Sequence, residues 1–374
     1  MAPKPPFRAE HVGSLLRPAE LKAGRQALAE GRIGSPELKE IEDREIVSAI
    51  RRQEEVGLQA VTDGEYRRSW WHLDFLEGLV GIEKYRMEGG MAFNGVNTRQ
   101  EGVKVVDRIG FDGHPMIEHF SFLARHAKAV PKQCIPAPSA LYGRRGREAV
   151  DKDVYPSLDT FWSDLGEAYR QAVNAFVAAG CRYIQLDEVF LVMLCDEANR
   201  ASLEARGESP DALARTYGDL INAALADVPP GVTTAMHMCR GNFKSTFLGR
   251  GAYDRIAEVL FDRIRIDGYF LEYDTERAGG FGPLADLPSG RRVVLGLVSS
   301  KFGELEDRNE LIGRVEQAAA HAPLDQLCLS PQCGFASTEE GNLLAEDQQW
   351  AKLRTVVEVS QEIWGSRAAS PART

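Results

Sequence analysis

Short apolar runs alternate with longer amphipathic segments along most of this chain. Most of the apolar runs are rich in Val, Ile, Leu or aromatic residues, as buried parallel strands are. The segments between most of them are helical and amphipathic, so that one face can cover a sheet. Strands are predicted at Glu10–Ser14, Ala60–Gly64, Cys134–Ala137, Tyr183–Glu188, Thr233–Cys239, Tyr269–Tyr273, Val293–Ser299 and Leu327–Ser330.

Helices are predicted between most of these strands, and several carry recognisable ends. Ser35 precedes one helix as a cap, and Gly180 follows another where a C-terminal glycine is favoured. Regular alternation of strands and helices predicts an α/β fold, specifically a (β/α)8 TIM barrel. The predicted helices are Pro36–Glu55, Ser157–Ala179, Ala212–Ala226, Tyr253–Phe261, Glu304–Ala322 and Glu346–Ile363.

One stretch interrupts the alternation. Gly81–His126 is Gly-rich and then alternates, so we expect an insertion of strands or loops after the second strand, near the mouth of the barrel. Residues 1–364 are predicted to form a single catalytic domain. The segment Gly365–Thr374 is small and polar, and we expect it to be disordered.

Composition and charge narrow the classes of function. The net charge of −10 argues against a nucleic-acid partner, since phosphate binding usually needs a basic face. Six sparse cysteines without framework spacing indicate a reducing compartment. No apolar run is long enough for a signal peptide or a membrane span, so a cytoplasmic protein without a membrane partner is expected.

Polar residues follow seven of the eight predicted strands. In a barrel of parallel strands, the active site lies at the edge formed by the carboxyl ends. Packing alone does not account for so many polar groups at one edge. The segments are His11–Ser14, Asp63–Glu65, Asp187–Glu188, His237–Cys239, Glu272–Asp274, Ser299–Ser300 and Ser330–Cys333.

His237 and Cys239 give the sharpest signal. Residues two apart on a strand point to the same face, so an imidazole and a thiol converge here. Both are good zinc ligands, and Glu272 and Cys333 could complete a set of four. A His-x-Cys pair within a strand also occurs as ordinary core filling. The other four cysteines are interpreted as buried thiols.

Two carboxylates, Glu65 and Asp187, end apolar strands. Each could form a salt bridge or a helix cap, or the two could recognise a cation such as a substrate ammonium. Gly13 and Ser14 could offer backbone N–H groups and a hydroxyl to a carboxylate. The Trp70–His72 segment could wall a substrate site or pack within the insertion.

Taken in order, these motifs resemble the cobalamin-independent methionine synthase family, and more closely its short single-barrel members related to the C-terminal catalytic half. The resemblance extends from about Phe7 to Trp364. The motifs are His-Val-Gly-Ser, Asp-Gly-Glu, Leu-Asp-Glu, Met-His-Met-Cys, Glu272 and Ser-Pro-Gln-Cys-Gly. Two longer segments are typical of the short members: Arg-Ala-Glu-His-Val-Gly-Ser-Leu-Leu-Arg-Pro near the start of the chain, and Thr-Asp-Gly-Glu-Tyr-Arg-Arg-Ser-Trp-Trp from the end of the second predicted strand.

The resemblance implies a zinc ion and transfer of a methyl group to the thiol of homocysteine, which gives methionine. The substrate ammonium would meet the two carboxylates, and the substrate carboxylate would meet the glycine–serine segment. The methyl donor could be a methylfolate, a methyl-corrinoid or another small methyl compound, and a homo-oligomer is compatible with the family. The implied positions are His237, Cys239, Glu272 and Cys333 for the metal, and Gly13, Ser14, Glu65 and Asp187 for homocysteine.

Three departures concern the methyl donor. The long family members carry an additional N-terminal barrel that helps to bind folate, and this chain has none. They carry a His at the end of strand seven, where this chain has Ser299, Ser300 and Lys301. They also carry a Trp after strand three for stacking on the pterin, and here only Tyr142 could substitute.

Other functions stay open at this stage. An epoxyalkane:coenzyme M transferase uses a similar zinc motif, and an Arg near the metal, such as Arg17 or Arg240, would favour it. Retention of Glu65 and Asp187 favours an amino-acid thiol instead, because two carboxylates repel a sulfonate. A uroporphyrinogen-decarboxylase-like barrel would lack the zinc set. A non-catalytic zinc or sulfur-sensing protein would have a closed site without a pocket.

Overall fold

A parallel α/β arrangement is the core of the computed structural model, which describes residues 4–365 except 87–91, 94–95 and 98–99. The predicted tail therefore lies almost entirely outside the described residues. The strands are β1 Ala60–Val61, β2 Val80–Arg86, β3 Ala92–Phe93, β4 Val96–Asn97, β5 Glu101–Gly110, β6 Val130–Pro131, β7 Gln133–Pro136, β8 Tyr183–Glu188, β9 Thr233–Met238, β10 Gly268–Glu272, β11 Arg292–Val298 and β12 Leu327–Pro331.

Helices cover this sheet, and short 3-10 or π turns fill some connections. The predicted helix Tyr253–Phe261 is a 3-10 turn (Tyr253–Ile256) followed by a π turn (Glu258–Arg263). The helices are α1 Ala19–Ala29, α2 Ser35–Val56, α3 Leu73–Leu76, α4 Pro115–His126, α5 Ala140–Gly143, α6 Leu158–Ala178, α7 Phe190–Met193, α8 Glu197–Ala205, α9 Pro210–Ala224, α10 Arg308–Ala319 and α11 Glu346–Ser360. No described helix has both the length and the apolar character needed to cross a membrane.

Six strands, β7 to β12, form one parallel sheet in sequence order. They match six of the predicted strands to within about two residues, and β8 matches its prediction fully. Their side chains are almost all buried, as expected for strands covered on both faces.

The first two predicted strands take part only in short pairings. Ala9 bridges Leu329 on β12, and Glu10 donates its N–H to the Leu329 carbonyl at 2.9 Å. β1 pairs in parallel with β6, which directly precedes β7. The fold is therefore of the TIM-barrel type, with a regular ladder over six strands and short contacts at both edges. A fully closed eight-stranded barrel stays a prediction.

A side chain explains why the second strand stops early. Gln53 on α2 accepts from the Thr62 N–H at 3.0 Å and donates to the Thr62 carbonyl at 2.9 Å. These bonds take the place of strand pairing, and the chain is free to turn into the loop at Asp63–Glu65.

The predicted insertion begins as expected and ends earlier. β2 and β5 form an antiparallel hairpin. Residues from Pro115 onward form helix α4 instead of strands or loops. Pro115 occupies the first turn, and His114 accepts from the Met116 N–H at 3.1 Å. Met116, Phe120 and Leu123 share the buried face, so α4 covers the sheet like the other helices.

A buried ion pair ties the first segment to the sheet. The Lys132 Nζ lies 3.6 Å from Glu10 Oε2, and both side chains are fully buried. Lys132 also donates to the His11 carbonyl and, at 3.2 Å, to Gln185. Tyr183 donates to Glu10 at 3.0 Å. This network links residues from three neighbouring parts of the fold.

Loss of one member of this pair should be costly. We expect Lys132→Met to lower the free energy of unfolding by about 3–5 kcal/mol, because it leaves Glu10 buried without a cation. The double variant Glu10→Gln/Lys132→Met should recover most of the loss. Urea unfolding followed by circular dichroism measures both. A loss below about 1 kcal/mol in Lys132→Met would show that the pair does not hold this edge.

Candidate functional site

Four side chains from three strand ends form a buried cluster at the carboxyl edge of the sheet. One ligand atom each from His237, Cys239, Glu272 and Cys333 lies within 4.8 Å of the others. His237 is on β9 and Cys239 follows its end, so their side chains share a face. Glu272 is the last residue of β10, and Cys333 lies two residues beyond β12.

The donor chemistry of this cluster fits a zinc ion. The two Sγ atoms are 3.6 Å apart, and the His237 Nε2 is 3.7 Å from Glu272 Oε1. Two thiols, an imidazole and a carboxylate are the ligand types that tetrahedral zinc accepts. All four residues are buried, which keeps competing water away.

Glu272 is held on both carboxylate oxygens. Oε1 accepts from the Arg240 backbone N–H, and Oε2 accepts from the Arg277 guanidinium, both at 3.1 Å. Burial favours the neutral acid, but the adjacent His237 imidazole and the charges of Lys301 and Arg277 prevail and lower the pKa of Glu272 to about 2. The carboxylate is therefore anionic.

The imidazole and the thiols are linked to that carboxylate. Burial opposes the charged form of His237, yet the adjacent Glu272 carboxylate and other negative charges raise its pKa to about 9. The S–H···S hydrogen bond between the two free thiols lowers the pKa of Cys333 to about 7 and raises that of Cys239. In the metal-free protein one thiol of the pair thus ionises more readily.

A second cluster, which contains two carboxylates, lies beside these four side chains. Oxygens of Glu65 and Asp187 and the sulfur of Cys134 are within 4.8 Å of one another. Asp187 also reaches His237, with 3.8 Å between Oδ1 and Nδ1. Burial raises the pKa of Glu65 to about 7; the charge of Arg68 opposes this and that of Asp187 adds to it.

Glu65 is held in an unusual conformation. Its φ of 60° is in the left-handed region, which is rare for a residue with a side chain. Asp63 accepts from its N–H at 2.8 Å and fixes the turn. Among the described residues, Glu65 Oε2 is buried without a hydrogen-bond partner, and Arg68 lies 3.5 Å from the other oxygen. A strained backbone and a buried carboxylate oxygen that is free to accept a hydrogen bond are features typical of functional sites.

Gly13 and Ser14 bring the first segment against both clusters. A Cβ at Gly13 would lie 2.8 Å from the Cys134 sulfur and 3.4 Å from a Glu65 oxygen. A Cβ at Gly334 would lie 2.0 Å from the Ser14 hydroxyl. Small residues at these two positions therefore allow the loops to approach closely.

One cavity of about 300 Å³ connects the two clusters. We call His237, Cys239, Glu272 and Cys333 the metal cluster, because they are the candidate metal ligands. Near this cluster the cavity is lined by Ser14, Glu65, Asp187, His237, Cys239 and Cys333. The Trp70–His72 segment also lines it, which supports the interpretation of these residues as a wall. The aromatic wall comes from the loop after β1 and is anchored where Trp70 bridges Thr338.

Several predicted or suspected residues lie elsewhere. Tyr142 does not line the cavity: its hydroxyl donates to Glu208 at 3.0 Å, and its ring packs on Trp162. The Arg17 guanidinium donates to backbone carbonyls, including that of Ala336 at 2.8 Å. The Arg240 side chain donates to the Gly251 carbonyl at 2.7 Å. Neither arginine lines the cavity.

Sequence reasoning missed the cations around the carboxylates. Arg277, Arg68 and Lys301 act on Glu272 or Glu65. Arg68 belongs to the motif at Thr62–Trp71 and Lys301 follows the seventh predicted strand, but the sequence did not indicate that either acts on a carboxylate. The remaining cysteines are confirmed as buried free thiols whose pKa values are raised by burial: Cys134, Cys181, Cys195 and Cys328.

Comparison with known proteins agrees with this geometry. The family model described as cobalamin-independent synthase, catalytic domain, matches residues 7–362. The uncharacterised protein YxjG of Bacillus subtilis is 49% identical over 96% of both chains. A methionine synthase of Pyrococcus abyssi is 23% identical over 87% of this chain and 85% of its own.

A solved structure from Listeria monocytogenes, provisionally assigned as a vitamin-B12-independent methionine synthase, is also similar. It is 39% identical, with a TM-score of 0.78 over 96% of this chain and 98% of that chain. Sequence and fold therefore point to the same family.

Proposed function

Because this chain belongs to the cobalamin-independent methionine synthase family and matches the model of its catalytic domain, we propose that it is a zinc-dependent methyltransferase that converts homocysteine to methionine. One observation carries the proposal: a zinc-type ligand cluster and a buried acidic pair open into the same cavity. A thiol and an ammonium that belong to one small molecule would need these two environments side by side.

The residues that would hold zinc are His237, Cys239, Glu272 and Cys333. When bound, zinc would supply the positive charge that keeps a substrate thiol deprotonated at neutral pH. Two thiolates and one carboxylate carry −3 against +2, so this ligand set is electron-rich. We infer that it preserves the nucleophilicity of the substrate sulfur.

The acidic pair would bind the substrate ammonium. Glu65 has a buried, unpartnered oxygen, and Asp187 lies within 4.8 Å of it. Both line the cavity. The Ser14 hydroxyl, which also lines the cavity, would donate to the substrate carboxylate, and Gly13 provides the space for this close approach. These contacts would orient homocysteine with its sulfur toward the ligand cluster.

The transfer itself is a displacement at the methyl carbon. A lone pair of the substrate thiolate forms the new S–C bond, and the bond between the methyl carbon and the donor atom breaks. That electron pair leaves with the donor. The chain's contribution is to orient the two substrates and exclude water, since the ligand cluster is buried and the cavity is walled by tryptophans.

The cavity bears on the alternative functions. Transfer to coenzyme M would place a sulfonate beside Glu65 and Asp187, and the arginines suspected for that role, Arg17 and Arg240, do not line the cavity. A non-catalytic zinc protein would not need a cavity next to its metal ligands. Methyl transfer to an amino-acid thiol accounts for more of the site.

The metal assignment predicts the behaviour of two variants. Cys239→Ser and Cys333→Ser should each lose stoichiometric zinc and reduce methyl transfer at least 100-fold, because each removes a thiolate ligand. Cys328→Ser is the matched control, since Cys328 is a buried cysteine on β12 away from the cavity. Zinc is measured by mass spectrometry after dialysis, and folding by circular dichroism. Full zinc occupancy in both variants would refute the assignment.

The identity of the thiol that accepts the methyl group is tested on the zinc-loaded protein. X-ray absorption at the zinc edge should show one additional sulfur ligand when homocysteine is added, and no change when coenzyme M is added. A response to coenzyme M and none to homocysteine would identify coenzyme M as the thiol substrate instead. Absence of zinc in the purified, fully folded protein would overturn the proposed function.

The acidic pair predicts a pH dependence for product binding. Only an ionised Glu65 can pair with an ammonium, and its pKa is raised to about 7. The affinity for methionine should therefore increase as pH rises from 6 to 8. Glu65→Gln should weaken binding at pH 8 and flatten the profile. Calorimetric titration measures both, and an unchanged slope in Glu65→Gln would assign the titration to another group.

A further inference from the structure

The cavity is polarised along its length. Its acidic residues, Glu65 and Asp187, lie beside the metal cluster. Its two arginines, Arg144 and Arg206, come from the loop after β7 and from the end of α8. We call the part of the cavity around Arg144 and Trp70 the distal end. The proposed homocysteine site does not use it.

A series of rings separates the distal end from the sulfurs. Trp71 packs on the apolar cluster that contains Cys239 and Cys333. The His72 ring lies 4.5 Å from Trp71 and 5.6 Å from Trp70, measured between centroids. The Arg144 guanidinium lies 5.9 Å from the Trp70 ring centroid. Arg144 therefore contacts one end of a row of three rings, and Trp71 at the other end packs on the cluster that contains the two sulfurs.

Polar atoms at the distal end lack partners. The Trp70 Nε1 and Arg144 Nη2 are buried and form no hydrogen bond with any described residue. Trp70 is only 4% exposed. Indole and guanidinium groups can only donate, so the missing partner must supply acceptor atoms. Buried donors of this kind are costly unless a ligand satisfies them.

Within the part of the chain that the structure describes, Arg144 also has no counter-charge: no carboxylate is paired with its guanidinium. One of its nitrogens donates to the Glu101 carbonyl at 3.0 Å. Its positive charge adds to burial in lowering the pKa of His72 to about 3, so His72 is neutral and supplies no competing charge. Arg206, by contrast, pairs with Glu208 at 3.2 Å.

We propose that the distal end is an anion-binding subsite for the methyl donor, with Arg144 pairing to a carboxylate or phosphate group of that donor. This inference rests on the proposed function for the identity of the ligand, but the subsite itself can be tested alone. The cavity wall also carries several apolar side chains, among them Phe190, Met193, Leu203 and Leu213. The donor would then combine an anionic end with an apolar or aromatic body.

The size of the cavity restricts the donor further. About 300 Å³ is at the lower end of the range for small-molecule pockets. The subsite therefore favours a compact anionic methyl donor.

The test uses 4-methoxybenzoate as the anionic probe and 4-methoxybenzamide as its neutral counterpart. Both are titrated calorimetrically into the purified protein at fixed ionic strength. The benzoate should bind saturably and at least ten-fold more tightly than the amide. Arg144→Gln should remove that preference, because it deletes the guanidinium charge and leaves a shorter, neutral polar side chain. Arg145→Gln is the matched control, since Arg145 is exposed and pairs with Glu148.

Trp70→Phe provides an independent variant. It keeps an aromatic wall and deletes the unpartnered donor, so benzoate binding should weaken several-fold while the amide changes less. Equal affinity for the two probes, no saturable benzoate binding, or a preference that survives Arg144→Gln would each overturn the subsite. Zinc content and the response to homocysteine are measured on the same variants. If the wild type fails those two measurements but keeps the benzoate preference, the proposed function fails and the anion subsite stands.

Discussion

Negative charge that is kept out of water at the carboxyl edge of the sheet is the constraint on which this site depends. Glu272, Glu65 and Asp187 are buried there, together with a pair of thiols. Burial of an unpaired charge is costly, so such groups persist only where cations offset them. Arg277 and Arg68 offset part of the charge. The unpartnered oxygen of Glu65 and the sulfur pair show where compensation is incomplete.

The two uncompensated places differ in chemistry, and the difference explains how one cavity could handle a bifunctional substrate. Sulfur, imidazole and carboxylate ligands suit a soft divalent metal, whereas a carboxylate pair suits an ammonium. The aromatic segment Trp70–His72 adds a third environment that neither cluster supplies. Different elements therefore supply different parts of the cavity. The metal cluster lies at the ends of β9, β10 and β12, and the loop after β1 forms the aromatic wall.

Much of the metal cluster could be predicted from the sequence because its geometry follows from strand periodicity. His237 and Cys239 share a face by spacing alone, and Glu272 and Cys333 lie at the carboxyl ends of β10 and β12 in the same parallel sheet. The sequence left two interpretations for the Trp70–His72 segment and did not indicate the role of the cations. Arg277 and Arg144 lie on irregular connections, whose direction depends on tertiary packing and not on a period.

Dependence on tertiary contacts also explains where the observed fold differs from the predicted one. The segment Glu10–Ser14 has the composition of a strand, but tertiary contacts such as the Glu10–Lys132 pair and the Gly13–Thr62 hydrogen bond fix it as an extended segment with a single bridge. The sequence pattern did not predict helix α4, because the helix directly follows a Gly-rich hairpin. Its start depends on His114 and Pro115, a short signal compared with the long irregular stretch before it.

The opposite edge of the sheet has a practical consequence. Arg8 stacks on Trp364 there, at 5.5 Å from the ring centroid, and accepts the Ser360 hydroxyl through its carbonyl. Residues at the amino-terminal and carboxyl-terminal limits of the described fold thus meet on the side away from the cavity. A label or an immobilising surface attached beside either residue would leave the cavity mouth facing the bulk solution, so the protein could be tethered for single-turnover work without obstruction of substrate entry.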